Sequence, residues 1–558
     1  MILMKPCLFP RMLTPLKGEE GVALFVVLAI LLILSVLGTI AVFVSKTEVD
    51  ISGVERTERM AFYAAEAGLE KALAVIQECY KTTGMPPSPL PAGTMELNGY
   101  AVKYATVDMG PAEYQSLNHG VYKGLYALVK SFSATAEATG GAYQARSAVA
   151  MEVDDALIPL YQFAVFYEDD LEIGPSEDMT LEGRVHTNSD LYLQCDKTLK
   201  IDSYTTAAGN IYHGRYSDSG KSESDGDVLI KDGPGDYQNM KNEDGSWLDC
   251  TDPDWVFSSY QRWDGKVEDS YHGRSELYLP VVMEGESSDL IKRGSESEDS
   301  YEHRADLKFV GGAVYSKNDE GDWEDVTASM EAAGILTYGS FYNYREGRYI
   351  SSYDIDISEL NGSGYWPDNG IIYAAHTDGE NGAIRLVEGQ QLAGPLTVAT
   401  ENPLYTLGHY NTQQKKPAAL LSDAYNVLST SWDDSKSTKS LSYRRAGHTT
   451  VNACIVTGIV PSGDGHYSGG LENLPRFLEK WTNATFSYLG SMVCLWESQQ
   501  ATGTWFYGGS YYTAPKRDWT FDTMYLDPAL LPPGTPQVNT VQRARWKHQL
   551  ASLHMEEG

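Results

Sequence analysis

Cationic side chains are scarce in this chain of 558 residues: 43 Lys and Arg stand against 76 Asp and Glu, a formal net charge of −33. A polyanionic partner needs Lys and Arg to replace the counterions on its phosphates, so nucleic acid is excluded as a ligand class. Cysteine is sparse too. Cys7, Cys79, Cys195, Cys250, Cys454 and Cys494 form no CxxC pair and no zinc-like spacing, which removes the metal-knuckle classes. Three catalytic signatures, GxSxG, HExxH and GxxxxGK[ST], are also missing. Proline is absent from Val22 to Tyr80, so nothing there breaks a helix.

Charge is absent as well from Val22 to Val44, VALFVVLAILLILSVLGTIAVFV. As a helix this run spans roughly 35 Å, enough to cross the hydrocarbon core of a bilayer. Lys5, Arg11 and Lys17 precede it, while Lys46 is followed by Glu48, Asp50, Glu55 and Glu58. The positive-inside bias therefore places the N-terminus in the cytoplasm and the bulk of the chain outside. A cleaved secretory signal has a shorter apolar core and a small-residue ending, neither of which is present. Phe62, Ala65, Leu69, Leu73 and Ile76 continue at helical spacing, with Ala61, Ala64, Ala67, Gly68 and Ala72 giving a small face for close packing.

Gly21 with the apolar run, Glu55-Arg56-Thr57-Glu58-Arg59, and Ala61-Phe62-Tyr63-Ala64-Ala65-Glu66-Ala67-Gly68-Leu69 together resemble the N-terminal segment of PilX-type minor pilins of type IV pilus systems. The resemblance covers about residues 17 to 77. It implies a leader (1–21) cut between Gly21 and Val22 by a prepilin peptidase. The helix bearing Val22, Leu24, Phe25, Val26, Leu28, Leu31, Leu34 and Leu37 would then pack among other pilin helices, in membrane lipid before assembly and in a filament core after it. Pilins commonly carry a Glu five residues into the mature chain. Here that position is Val26, a departure shared with many PilX-like and pseudopilin-tip relatives, and one that suits a subunit starting or capping a filament.

The remainder, with 52 Gly, 37 Tyr and 24 Pro, favours short strands and turns. The expected class is α+β, mostly β. A transmembrane and extended helix (22–80) precedes a pilin-like β unit (81–157). A large irregular right-handed parallel β-solenoid (158–535) follows, with acidic insertions near 217–254 and 285–304, and then a tail or cap (536–558). The solenoid expectation rests on "Gly, apolar, turn" segments such as Gly209-Asn210-Ile211-Tyr212 and Gly370-Ile371-Ile372-Tyr373. The segment from Val541 to Leu550 reads as a short basic helix capping the last rung. Tyr467-Ser468-Gly469-Gly470-Leu471-Glu472-Asn473 and Pro515-Lys516-Arg517-Asp518-Trp519 also resemble the large C-terminal domain found behind PilX-like N-termini, which implies architecture and no chemistry.

His186, Asn188 and Asp190 would share one strand face, where a metal or general base could sit, although a polar ladder is the commoner use of such a face. Asp354 with Asp356 and Asp433 with Asp434 are carboxylate pairs of the kind glycoside cleavage uses, in a chain where acids are everywhere. Asn318-Asp319-Glu320-Gly321-Asp322 offers clustered oxygens for calcium without the spacing of an EF-hand. Trp481, Trp496, Trp505, Phe506, Tyr507, Tyr511, Tyr512 and Trp519 crowd the end of the chain and could stack sugars or dock a protein. Cys454 and Cys494 lie in its most strand-like part, where an extracytoplasmic setting permits disulfides.

Together these readings predict a minor-pilin-like subunit of a type IV pilus or type II secretion-like filament. It would have no enzymatic site and no cofactor beyond a possible calcium, and would display a body for adhesion or assembly against a surface glycan or protein. A membrane-tethered carbohydrate-active solenoid enzyme and a plain anchored surface protein are the alternatives.

Overall fold

The computed structural model describes residues 19–217, 219–279, 286–505 and 511–549. It is mostly β, with one long helix, α1 (Glu19–Thr83), of 65 residues. At the usual rise α1 is about 97 Å long, and its two halves meet different surroundings. The first half is bare among the described residues: from Val22 to Val44 its large apolar side chains are between 46% and 74% exposed.

The second half lies on an antiparallel sheet of β1 (Ala92–Leu97), β2 (Tyr100–Asp108), β3 (Glu113–Ser116), β4 (Tyr126–Gly140) and β5 (Ala145–Pro159). Asn98 and Gly99, both at positive φ, make the tight turn that joins β1 to β2. Period-two alternation in β2 turns Tyr100, Val102 and Tyr104 toward the helix. There they meet Ala61, Ala65, Leu69, Ala72, Leu73 and Ile76 together with Ala134, Ala136 and Val149 of β4 and β5. Small residues on both surfaces bring the backbones close. A Cβ built on Gly68 would stand 2.7 Å from Val102 Cγ1 and 3.1 Å from Ala136 Cβ, so only glycine fits the present spacing.

The C-terminal segment corrects the expectation of a basic helix over the last rung. Gln537–Gln549 is a strand, paired antiparallel with β5 from Gln537↔Pro159 to Gln549↔Ala148. Its Gln, Arg, Ala and Lys residues suit a helix, but the open edge of β5 offers a full ladder of hydrogen bonds, and tertiary pairing outweighs the small propensity differences. Trp546 packs edge-on against Phe62 with ring centroids 5.7 Å apart, and Arg543 reaches Glu70 at 2.6 Å, so the strand also grips α1. Asn539 and Tyr80 both bond the Asp155 carboxyl, whose pKa burial pushes up to about 6.

Between β5 and this last strand lies the body. Val165–Tyr167, Leu171–Ile173 and Met179–Leu181 are followed by Val185–Thr187, Leu191–Leu193 and Thr198–Ile201, and then by Thr205–Ala207, Ile211–His213 and Asp227–Lys231. Each pairs in parallel with its counterpart in the following set. The first two sets keep strict register 20 residues apart, and the turns follow suit: the Asp170 carboxylate accepts from Asp190 N–H, and the Asp190 carboxylate from Asn210 N–H, each 20 residues on. Val228, Ile230 and Met240 are fully buried in this stack, and Leu248 nearly so. The stretch 217–254 is thus only in part a surface excursion.

The chain then crosses to a second parallel series, Ile371–Ala375, Leu396–Ala399, Ala418–Ser422, Cys454–Ile459 and Met492–Glu497. The last of these pairs in parallel with Val165–Tyr167, the first strand of the body. A 12-stranded sheet therefore runs through both series, joined where Val165–Tyr167 and Met492–Glu497 lie side by side. Further parallel sheets, including Arg348–Asp356 through Arg476–Phe477 and Thr449–Asn452 through Lys516–Phe521, form the other walls. Leu, Ile and Val from all walls meet in one continuous core.

Candidate functional site

Two places in the fold stand out, the bare half of α1 and a cavity at the seam of the two series. Gly21 and Val22 sit in the first turns of α1, while residues 1–18, most of the expected leader, lie outside the described residues. Val22, Leu24, Phe25, Val26, Leu28, Leu31, Leu34 and Leu37 are all exposed. By length and composition this is the one helix among the described residues able to cross a membrane.

The seam cavity measures about 460 Å³. One wall is the turn after Tyr467, where Gly469 and Gly470 take φ of 98° and 63°. A Cβ on Gly470 would sit 2.6 Å from Tyr467 Oη and 2.8 Å from Glu472 Oε2, so this double glycine is a requirement of the wall. It lets Glu472 accept from Gly174 N–H at 3.3 Å and from Tyr467 O–H at 3.3 Å, while burial raises its carboxyl pKa. Arg517 closes the floor, donating through Nη2 to the Glu472 carbonyl at 2.9 Å, and burial lowers its pKa. Trp505 donates to Tyr512 O–H, which in turn donates to Asn473 Oδ1, and Lys221 stands 5.9 Å above the Trp505 ring.

Arg215 enters from the opposite series with its guanidinium 4.4 Å above the Tyr467 ring. Its Nε and Nη1 are buried without a hydrogen-bond partner among the described residues, while the guanidinium lies near enough to Glu172 and Glu472 to oppose the rise in both their pKa values. A buried donor left open is uncommon in a native fold. Glu172 lies behind this wall, accepting from Tyr216 N–H at 3.0 Å and from Ser462 O–H, and burial raises its pKa. It lines a separate cavity of about 270 Å³, so the two buried carboxyls do not converge on one space.

The residues singled out from the sequence fare differently. His186 and Asn188 do meet, Nε2 to Oδ1 at 3.1 Å, but the imidazole is enclosed by Tyr122, Phe163 and Phe166, and its pKa is driven down to about 4 by burial. Asp190 lies beyond the end of that strand, in the turn ladder, and does not join them. Asp354 and Asp434 both bind Arg385, while Asp356 and Asp433 cap short helical turns. Asn318 accepts from Glu320 and Asp322 N–H inside its own loop, and among the described residues no three His, Cys, Asp or Glu side chains gather as metal ligands do. Cys454 and Cys494 are buried free thiols; Cys494 is registered with Thr457, not Cys454. Of the late aromatics, Trp481 and Trp496 fill the core, Trp505 and Tyr512 line the cavity, and Phe506 and Tyr507 lie outside the described residues. Arg215 and Lys221 escaped sequence reading because the cavity is drawn from four separated segments with no local motif.

Residues 20–70 match the family model described as PilX N-terminal. No curated protein matches the chain, and no solved structure does.

Proposed function

Proceeding from a PilX-type segment at the head of the chain, we propose a minor-pilin-like subunit of a type IV pilus or a type II secretion-like filament. The observation that carries this reading is α1 itself. One unbroken helix joins an apolar half left exposed among the described residues to a half locked on a sheet. Other pilin helices and membrane lipid would supply the missing contacts. Before assembly the N-terminus faces the cytoplasm, in keeping with Lys5, Arg11 and Lys17 ahead of the span.

The body, in this reading, is a right-handed parallel β-solenoid, the hand that nearly all parallel crossovers adopt. It is displayed outside the cell for adhesion or assembly, without turnover and without a resident cofactor. Support for the absence of turnover comes from Glu172 and Glu472, which open on different cavities rather than facing one scissile bond.

The test is the N-terminal residue of the mature chain, read by mass spectrometry of membranes with and without an active prepilin peptidase. A chain starting at Val22 only when the peptidase is active supports the proposal. Met1 intact in both removes it and leaves an ordinary anchored protein.

A further inference from the structure

We propose that the seam cavity binds a carboxylated sugar, a uronate unit of an acidic glycan. This deepens the adhesive display reading by naming its ligand. Three cations, Arg215, Lys221 and Arg517, line the space against two acids, Asp196 and Glu472. That local excess of positive charge sits in a chain of net charge −33.

The acid at its centre is already engaged, since Glu472 accepts from Gly174 and Tyr467. Arg517 is turned to the Glu472 carbonyl. Arg215 keeps two buried donors, Nε and Nη1, without an acceptor among the described residues. A guanidinium is the side chain suited to a planar carboxylate, and such pairs are strongest where water is excluded.

A bare anion does not account for the rest. About 460 Å³ lies in the size range of small-molecule sites and far exceeds one carboxylate or phosphate. Trp505 and Tyr512 bring aromatic rings to the lining for the C–H faces of a pyranose, and Ser176 and Ser222 bring hydroxyls for the ring substituents.

The experiment is calorimetric titration of the full-length protein in detergent with trigalacturonate, its methyl-esterified trimer and inorganic phosphate. The expected result is binding of trigalacturonate, at least tenfold weaker binding of the ester, and no displacement by phosphate. Arg215→Gln should weaken binding by roughly 10- to 100-fold, Arg215→Lys less, and Glu472→Gln should strengthen it by removing a like charge. Trp505→Ala serves as an independent variant should Arg215→Gln fail to fold, with an expected loss of about tenfold. No binding, equal binding of the ester, full displacement by phosphate, or unchanged affinity in a folded Arg215→Gln or Trp505→Ala protein would each overturn the proposal. The titration does not depend on leader processing, so its failure and an uncleaved Met1 are separate results.

Discussion

Replacing Gly68 in α1 sets two opposing effects against each other, and the sign of the outcome reports how tightly the helix is pressed to its sheet. Alanine in a helix interior is favoured over glycine by about 1 kcal/mol, so an unopposed Gly68→Ala change would stabilise the chain. The new Cβ would lie 2.7 Å from Val102 Cγ1 and 3.1 Å from Ala136 Cβ. Carbon atoms prefer about 3.5–4.0 Å, so the helix must lift by nearly an ångström or Val102 must leave its rotamer. Lifting also loosens Ala65, Leu69 and Ala72, which are buried in the same contact. Overpacking of this kind costs about 1–3 kcal/mol, leaving Gly68→Ala destabilised by about 1 kcal/mol. Gly68→Val adds two methyls at the tightest point and should lose about 3 kcal/mol. Hydrogen exchange of β2 and β4 amides, alongside thermal melts of the full chain in detergent, separates the cases. A Gly68→Ala protein more stable than the parent would refute the close approach.

Arg385 is buried between Asp354 and Asp434, with Nε 2.8 Å from Asp354 and Nη1 2.8 Å from Asp434. Arg385→Met should destabilise the body by about 3–5 kcal/mol, and Arg385→Met with Asp354→Leu should recover most of it; equal melts for single and double variants would contradict this. Glu479 accepts from Ser429 N–H and O–H, yet burial pushes its pKa up to about 7. Its folded pKa lies above its unfolded value near 4.3, so the stability it contributes is full below that value and is lost as pH rises through about 7. Glu479→Gln should flatten the melting temperature between pH 5 and 8, and an unchanged slope would count against the burial effect. Ending the chain at Thr535 strips the partner from β5 and should expose it to proteases and aggregation; a truncated protein as soluble and resistant as the parent would show that the last strand contributes little.

The helix was legible because an uncharged run and an absence of proline act locally, and neither requires knowledge of the rest of the chain. The small face at Ala61, Ala65 and Gly68 was legible as a packing surface for the same reason. The spacing of the first parallel strands is written in the sequence, where Asp170-Leu171, Asp190-Leu191 and Asn210-Ile211 recur at a fixed interval, but the excursion after His213 interrupts the count. The last strand could not be read from its own residues, since Gln542, Arg543 and Lys547 carry no strand preference and the pairing edge lies some 400 positions earlier in β5. The cavity was invisible for a similar reason. Tyr467 and Arg517 lie far along the chain from Arg215, and the three meet only when the early and late strands of the body are brought side by side.

Entry through β5 and exit through its antiparallel neighbour also make a mechanical joint. Tension on the body enters the anchored unit along two adjoining strands instead of a single thread. The ladder between β4 and β5, from Leu128↔Leu157 to Gly140↔Ala145, has its hydrogen bonds lying across the line of pull. Those bonds are loaded in shear, all at once, whereas a strand peeled from one end would release them in sequence. The sheet beneath α1 thus works as a grip between the helix and the body.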